Sequence, residues 1–205
     1  MDYWHETDLP EALNYTFKEC LDHGIAVSNM AFYIAKEMKL DEDMCYELAI
    51  AGLIHDIGKI LLSAYLYGDD TDIFRIEEIK YVRMHSKLSY DILQHYDFSY
   101  FILESVLYHH ENYDGSGYPE NLRGEDIPIG ARILRVADVF SALVSDRTYR
   151  SAFDADIAVE LMIDEVKNFD MEVFLAFQRV VHNIDMDEFL NNKIFKNETG
   201  GNNHG

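Results

Sequence analysis

The stretch Leu107-Tyr-His-His-Glu-Asn-Tyr-Asp-Gly-Ser-Gly-Tyr-Pro119 joins the end of an apolar helical pattern to a glycine-rich turn. Two adjacent histidines, His109 and His110, stand at this junction. Imidazoles at the mouth of a glycine-rich loop suit a metal centre that a ligand reaches from solvent. A histidine pair alone is weak evidence, because histidines in such positions are often structural. The interpretation therefore depends on what the rest of the chain offers.

The composition favours one compact helical domain. The 205 residues can bury an ordinary core without disulfides, and 48% of them are hydrophobic, with only three prolines. We predict a single domain over residues 1–190 and a disordered tail over 191–205, where no apolar pattern is found. No run is long enough to cross a bilayer, and the acidic start lacks the features of a signal peptide. Because Cys20 and Cys45 are interpreted as free thiols, we predict a cytoplasmic protein without a membrane span.

The net charge of −21 argues against a long nucleic acid as partner, because binding to a phosphate backbone depends on clustered lysines and arginines. It does not exclude a small nucleotide, since divalent cations would reverse the charge locally. Arg147 and Arg150 could complete such a pocket, because guanidinium groups three residues apart can bridge phosphates. Solvated surface arginines are the alternative interpretation.

Apolar residues at helical spacing run through most of the chain and predict an all-α fold, a compact bundle of several helices. Segment 111–128 lacks this periodicity, and a loop of that length in a compact domain is usually functional. Gly58 is expected to close the helix formed by the apolar run 48–54, with Lys59 pointing back toward the same site. The other predicted helices cover residues 11–38, 76–95, 98–110, 155–168, 171–181 and a segment that begins at Ile129.

Acidic and imidazole side chains fall on or beside the core-facing sides of these helices. His55 and Asp56 follow the apolar run directly, and a buried carboxylate without a partner is costly unless a metal ion compensates it. Glu19 and His23 stand four residues apart on one helical face, where they could approach a shared metal cluster or form an ordinary surface pair. A lone histidine such as His85 is more often a satisfied core residue than a ligand. The candidate metal ligands are His23, His55, Asp56, His85, His109, His110 and Asp138.

This set of candidates contains no cysteine, which argues against a structural zinc finger. It favours a mixed imidazole and carboxylate centre with open coordination positions. Such a centre suits Fe, Mn or another first-row metal, and two ions could flank a bridging hydroxide.

The order of these residues resembles that of the HD-GYP phosphodiesterase family over residues 21–177. A general HD hydrolase would have a pair such as His55-Asp56 and outlying ligands, but it would lack the Gly-Tyr-Pro segment at 117–119. The combined pattern is therefore specific. The matching segments are His23, His55-Asp56 with Ile57-Gly58-Lys59, His85, His109-His110-Glu111, and residues 114–119, 127–132, 136–138 and 147–150.

The resemblance implies an HD-domain-like helical bundle with a long Gly-Tyr-Pro loop. It implies a bacterial enzyme that hydrolyses cyclic di-GMP to linear pGpG and, in some members of the family, onward to GMP. By the resemblance, the seven candidate ligands would bind two metal ions, with Asp56 bridging, and Glu19 corresponds to a glutamate that binds a third ion in some members of the family. Fe and Mn are the expected metals, and a metal-bridging hydroxide would attack the phosphorus.

The same resemblance implies roles for four further residues. Lys59 would act beside Asp56 in catalysis, because its ammonium group would neutralise charge near the scissile phosphate. Arg147 and Arg150 would hold substrate phosphates. Tyr118 and its loop would contact a guanine base or a partner signalling protein.

The sequence alone leaves two alternatives to cyclic di-GMP hydrolysis open. The substrate could be another cyclic dinucleotide such as cyclic GMP-AMP, because the sequence does not reveal the residues that choose the base. The chain could also be a non-catalytic signalling module that docks through the Gly-Tyr-Pro loop. Retention of every type of metal ligand argues against such a module, whereas Ser141, which stands where many relatives have aspartate, argues slightly for it. The acidic segment 68–73 also departs from the family pattern and could alter substrate access.

Overall fold

A computed structural model of the chain describes residues 17–66, 83–145, 151–186 and Phe189, with the backbone alone at residues 17–19, 61 and 63–66. Within these ranges the protein consists of α-helices joined by turns and loops, without a β-strand. The predicted all-α fold is confirmed. The helices are α1 (Phe17–Glu37), α2 (Glu42–Ile54), α3 (Ile57–Leu66), α4 (His85–Leu93), α5 (Tyr100–Tyr108), α6 (Ile129–Leu143), α7 (Ala155–Asp164) and α8 (Met171–Asn183).

Helix α6 lies at the centre of the bundle and packs against α1, α2, α5, α7 and α8. Its apolar stripe, which includes Ile133 and Phe140, is fully buried. Helix α1 contributes a second buried stripe that includes Val27 and Ile34. The Phe140 ring meets Phe177 of α8 edge to face, with 4.9 Å between the ring centroids. Burial of these stripes, rather than hydrogen bonding between helices, supplies most of the packing free energy.

Two glycines bring α1 and α2 into backbone contact. A Cβ atom on Gly24 would lie 2.5 Å from the carbonyl oxygen of Leu53, and one on Gly52 would lie 2.8 Å from the Cα of Ser28. Any larger residue would therefore push the two helices apart. The close approach positions two candidate ligands, because His23 stands next to Gly24 on α1 and His55 directly follows the end of α2.

The prediction that Gly58 closes a helix is wrong. Helix α2 ends at Ile54, His55 and Asp56 form a turn, and Gly58 lies in the first turn of α3. A Cβ atom on Gly58 would lie 2.3 Å from the carbonyl oxygen of His85, and its backbone N–H donates to Ser89 Oγ at 2.9 Å. Gly58 therefore serves the close packing of α3 on α4, for which the absence of a side chain is the requirement.

Over the described residues, the other predicted helices agree with the structure except at their ends. The helix predicted over 98–110 begins at Tyr100, because the Ser99 hydroxyl caps it by accepting from the N–H of Ile102 at 3.2 Å, and it ends at Tyr108. The helix predicted over 155–168 stops at Asp164 and is followed by a short 3-10 turn. The long loop over 111–128 is confirmed. Residues 11–16 and 76–82 of the predicted helices and the predicted tail at 191–205 lie outside the described residues.

Candidate metal centre

The structure brings the seven candidate ligands together from five places in the bundle. They come from α1 (His23), the turn between α2 and α3 (His55, Asp56), the first position of α4 (His85), the turn after α5 (His109, His110) and α6 (Asp138). Three groups among them have potential ligand atoms within 4.8 Å of one another. The groups are His85 with His109 and His110, His23 with His55 and Asp138, and His55 with Asp56 and His109.

The carboxylate of Asp56 lies between the imidazoles of different helices. Its Oδ1 atom is 3.2 Å from Nε2 of His85, and its Oδ2 atom is 3.3 Å from Nε2 of His55. Oδ2 also accepts from the Lys59 ammonium group at 2.6 Å, as expected from the prediction that Lys59 points back to this site. Asp56 is only 2% exposed. Its two oxygens face imidazoles from different parts of the bundle, Oδ1 toward His85 and Oδ2 toward His55. This is the arrangement that a bridging ligand requires.

Asp138 forms the second carboxylate of the cluster. Its Oδ1 atom is 2.9 Å from Nε2 of His23 and 3.8 Å from Nε2 of His55. The rings of His23 and His55 stand 5.4 Å apart between centroids. The backbone contact between α1 and α2 at Gly24 and Gly52 makes this short separation possible.

Backbone carbonyl groups set the tautomers of two histidines. Nδ1 of His55 lies 2.7 Å from the carbonyl oxygen of Gly52, and Nδ1 of His109 lies 2.6 Å from that of Val106. A carbonyl oxygen can only accept, so each Nδ1 atom carries the hydrogen. In the neutral ring the Nε2 lone pair is then directed into the cluster, which is the orientation that a metal-binding histidine needs.

The protonation states in the cluster also suit metal ligands. Burial lowers the pKa of His109 and His110 well below the usual value of 6.5, and neighbouring imidazoles add to the shift. Burial would raise the pKa of Asp56, but His55 and Lys59 outweigh it and hold that pKa well below its usual range. Asp138 is held in the same direction, against burial, by its hydrogen bond with His23. His109 and His110 are thus neutral while both carboxylates are charged, as metal binding requires.

Several buried nitrogen and oxygen atoms of these residues lack hydrogen-bond donors among the described residues, and metal ions would coordinate them. Nε2 of His85 lies 2.9 Å from Nε2 of His110 and 3.3 Å from Nε2 of His109, so three ring nitrogens converge on each other with few hydrogens to share. In the described part of the chain, neither Nε2 of His55 nor Oδ1 of Asp56 makes a hydrogen bond of good geometry, although both are buried. Buried polar atoms left in this way are costly in a protein interior. The residues present therefore fit divalent metal ions.

A thiolate is not part of the arrangement. Cys20 is buried on α1, and burial raises the pKa of its thiol to about 11, so it stays protonated at neutral pH. Imidazole nitrogens together with carboxylate oxygens suit first-row metals and do not form a structural zinc site.

The predicted roles of Glu19, Arg147 and Arg150 stay predictions. Glu19 lies on α1 four residues before His23, but its side chain is outside the described residues, and so are Arg147 and Arg150. Ser141 is fully buried on α6, and its hydroxyl has no hydrogen-bond partner among the residues that the structure describes. It therefore adds no charge to the centre.

The Gly-Tyr-Pro loop covers one side of the cluster. The Tyr118 ring stacks on the His110 ring with 4.8 Å between centroids and 26° between planes, and the Arg83 guanidinium lies 5.5 Å from the Tyr118 centroid. A Cβ atom on Gly117 would lie 2.2 Å from the backbone nitrogen of Asn112, so only glycine allows the loop to fold back on itself. The loop is thereby held against the candidate metal centre.

Two residues of this region have roles that the sequence motifs did not indicate. The buried Glu111 carboxylate accepts the backbone N–H of Glu120 at 2.7 Å and so ties the two ends of the loop. Arg135 of α6 donates from Nε to Asn112 Oδ1 at 2.9 Å. One signal was available for Arg135: it stands three residues before Asp138, on the same side of a helix that was predicted to carry a ligand.

Comparison with known proteins agrees with this geometry. The family model described as "HD domain" matches residues 9–173, and the chain belongs to that family. A cyclic di-GMP phosphodiesterase of Pseudomonas aeruginosa is 34% identical over 166 residues, which are 78% of this chain and 38% of that protein. The 3'3'-cGAMP-specific phosphodiesterase 1 of Vibrio cholerae is 33% identical over 156 residues, which are 74% of this chain and 36% of that protein. The chain thus spans less than two fifths of the length of these relatives.

Solved structures support the fold. A cyclic GMP-AMP-specific phosphodiesterase of V. cholerae superposes with a TM-score of 0.66 at 18% sequence identity, over 88% of this chain and 51% of that one. The predicted resemblance to HD-type phosphodiesterases is confirmed by these relatives. Among the described helices, none combines the length and the apolar character needed to span a bilayer.

Proposed function

We propose that the chain is the hydrolytic part of a metal-dependent phosphodiesterase that opens cyclic di-GMP to linear pGpG. The observation that carries the proposal is the convergence of four imidazoles, from two helices and two turns, on the buried Asp56 carboxylate. A buried carboxylate among histidines has no structural advantage over apolar packing, because both kinds of group lose hydration on burial. Relatives named for hydrolysis of cyclic dinucleotides support the substrate class.

We propose that two or three divalent ions, with Fe or Mn preferred, are held by the seven ligands, with Asp56 shared between ions and Glu19 as a ligand of a third. Metal ions in such a centre activate a water molecule for attack on phosphorus and offset the charge of the phosphate. The donor set of imidazole and carboxylate groups favours these metals over those that prefer thiolates.

The protein's own groups would hold the substrate and move protons. Lys59 keeps its ammonium group at Asp56 Oδ2 and is partly exposed, so it can donate a hydrogen bond or a proton to the leaving oxygen. Tyr118 would contact a base from its position on His110. By the family resemblance, Arg147 and Arg150 would bind substrate phosphates.

The test is product analysis with protein that is purified without oxygen and loaded with Fe or Mn. Cyclic di-GMP should be converted to pGpG, as measured by liquid chromatography, and elemental analysis should give two or three ions per chain. Asp56→Asn should abolish both readouts. The matched control is Asp91→Asn, which removes an exposed carboxylate from a surface pair with Lys87 and should change neither.

Other outcomes would select the alternatives. Binding of cyclic di-GMP by the metal-loaded protein without any turnover would support a non-catalytic module that docks through the Gly-Tyr-Pro loop. Absence of both binding and turnover would reject the proposal.

A second substrate deserves a parallel assay, because one relative is named for 3'3'-cGAMP and a structural neighbour for cyclic GMP-AMP. The metal centre would serve either dinucleotide, since both carry the same phosphodiester groups. Equal amounts of the two substrates should be offered in competition. Turnover of cyclic GMP-AMP alone would replace cyclic di-GMP as the substrate and leave the reaction class unchanged.

A further inference from the structure

We infer that Arg135 binds the scissile phosphate of the substrate from the loop side of the metal centre. This inference rests on the proposed phosphodiesterase function and adds a substrate contact to it. Arg135 lies on α6, after the Gly-Tyr-Pro loop and three residues before Asp138.

The position of Arg135 is fixed from both sides. On α6 it stands one turn before Asp138, so the two side chains share a face of the helix. Its Nε atom donates to the side chain of Asn112 at 2.9 Å, and Asn112 in turn donates to Ser116 Oγ at 3.0 Å within the loop. The guanidinium group is thereby held between the helix that carries a ligand and the loop that covers the centre.

The hydrogen bond of Arg135 places it beside the entrance of the cluster. Its partner Asn112 follows His110 by two residues, and the His110 ring stacks on Tyr118 of the loop with 4.8 Å between the centroids. Arg135 therefore lies near the two rings that stack at the mouth of the cluster.

The terminal nitrogens of Arg135 are available for a ligand. Among the residues that the structure describes, no carboxylate oxygen forms an ion pair with Arg135, and the bond from Nε to Asn112 is its one hydrogen bond. A guanidinium group has five N–H donors, so the four on the terminal nitrogens are left. They form the fork that matches two phosphate oxygens. Lys59 differs in this respect, because its ammonium group already contacts Asp56 at 2.6 Å.

A merely structural role would look different from phosphate binding. If Arg135 served only to hold the loop through Asn112, removing either side chain would have the same effect. If it binds the phosphate at which hydrolysis occurs, its removal must slow every phosphodiester, including one with no second phosphate and no base. Bis(p-nitrophenyl) phosphate is such a diester.

The experiment compares Arg135→Ala, Arg135→Lys and Asn112→Ala in the metal-loaded chain. With both cyclic di-GMP and bis(p-nitrophenyl) phosphate, Arg135→Ala should lower kcat/KM by about 100- to 1000-fold, the usual effect of removing a charged donor from a transition state. Asn112→Ala should lower it by about tenfold or less, as for a neutral hydrogen bond. Arg135→Lys should fall between the two. Arg179→Ala, which removes an exposed arginine paired with Glu37, is the matched control and should behave like the wild type.

Two further readouts separate binding from structure. Elemental analysis should give wild-type metal content in Arg135→Ala, and added guanidinium ion should restore part of its activity but none in Asn112→Ala. Loss of metal from Arg135→Ala, equal effects of Arg135→Ala and Asn112→Ala, or a defect confined to the dinucleotide would each overturn the inference.

Failure of the proposed function would be recognised separately, as a wild-type protein that hydrolyses neither diester. Equilibrium dialysis with inorganic phosphate then decides the inference by itself. Weaker phosphate binding by metal-loaded Arg135→Ala than by the wild type would support it, and equal binding would overturn it.

Discussion

Gly58→Ala tests whether the packing of α3 on α4 sets the geometry of the metal centre. The added Cβ would lie 2.3 Å from the carbonyl oxygen of His85, and real Cβ atoms essentially never approach another atom within 3.0 Å. The two helices must therefore separate by at least about 0.7 Å at this point. Because the obstacle is the backbone of His85 itself, the imidazole moves with it. Metal sites tolerate changes in ligand distance of only about 0.2 Å.

The expected result is a loss of metal affinity larger than the loss of stability explains. We expect Gly58→Ala to weaken binding of the ion at His85 by about 10- to 100-fold, the range found when the supports of a metal ligand are altered. Overpacking should reduce the free energy of unfolding by about 1–3 kcal/mol. The better helix propensity of alanine offsets about 1 kcal/mol of this. Chelator competition measures the affinity, and urea titration of metal-free protein measures the stability.

Ser89→Ala is the matched control for this prediction. It removes the hydroxyl that accepts the N–H of Gly58 but adds no atom between the helices. Leaving a buried N–H without a partner should reduce stability by about 1–3 kcal/mol, a loss similar to that in Gly58→Ala. Metal affinity should stay near that of the wild type. Wild-type metal affinity in Gly58→Ala would refute the reasoning, because the position of His85 would then be independent of the contact between α3 and α4.

The remaining predictions concern metal content and pH. Asp56→Ala should lose bound metal and activity together, because the two oxygens of this carboxylate face His55 and His85. Glu19→Ala should lose at most one ion per chain. Elemental analysis counts the ions, and full metal content in Asp56→Ala would contradict the assignment. In metal-free protein, burial holds the pKa of His109 and His110 well below 6.5, so below pH 6.5 the unfolded chain takes up protons that the folded chain refuses. The free energy of unfolding should therefore fall by roughly 1.4 kcal/mol per pH unit for each of these histidines as the pH drops from 6.5 toward 5. His55 opposes part of this loss, because Asp56 raises its pKa despite burial, and urea titrations that show rising stability toward pH 5 would count against the argument.

The fold and the membership of the cluster could be predicted from the sequence to a large extent. Helical periodicity identified the buried faces, and His55, Asp56 and Asp138 stood beside them. Because a helix turns through a fixed angle per residue, Asp138 beside the buried stripe of its helix was expected to face the interior, whereas His55 and Asp56 directly follow the end of a buried helix. Their meeting in space followed from the family resemblance rather than from periodicity, which contains no information about distances between helices.

Other features of the site depend on contacts that the local sequence does not contain. Gly58 was assigned to a helix end because glycine is common there, yet the same residue also permits close approach between helices. The neighbour that distinguishes the two cases, His85, is 27 positions away. Arg135 was missed for a similar reason. An arginine on an amphipathic helix is usually solvated, and its partner Asn112 belongs to a loop 23 residues earlier.

The helix ends at His55 and His109 have an electrostatic consequence. Both residues are the C-caps of their helices, so α2 and α5 direct their carboxyl ends toward the same cluster. Aligned peptide dipoles give each such end a partial negative charge, which stabilises a nearby cation by about 0.3–1 kcal/mol and more when solvent is excluded. The same potential repels an anion. Metal-free protein should therefore hold a phosphodiester poorly, and the order of binding should be cations first and dinucleotide second.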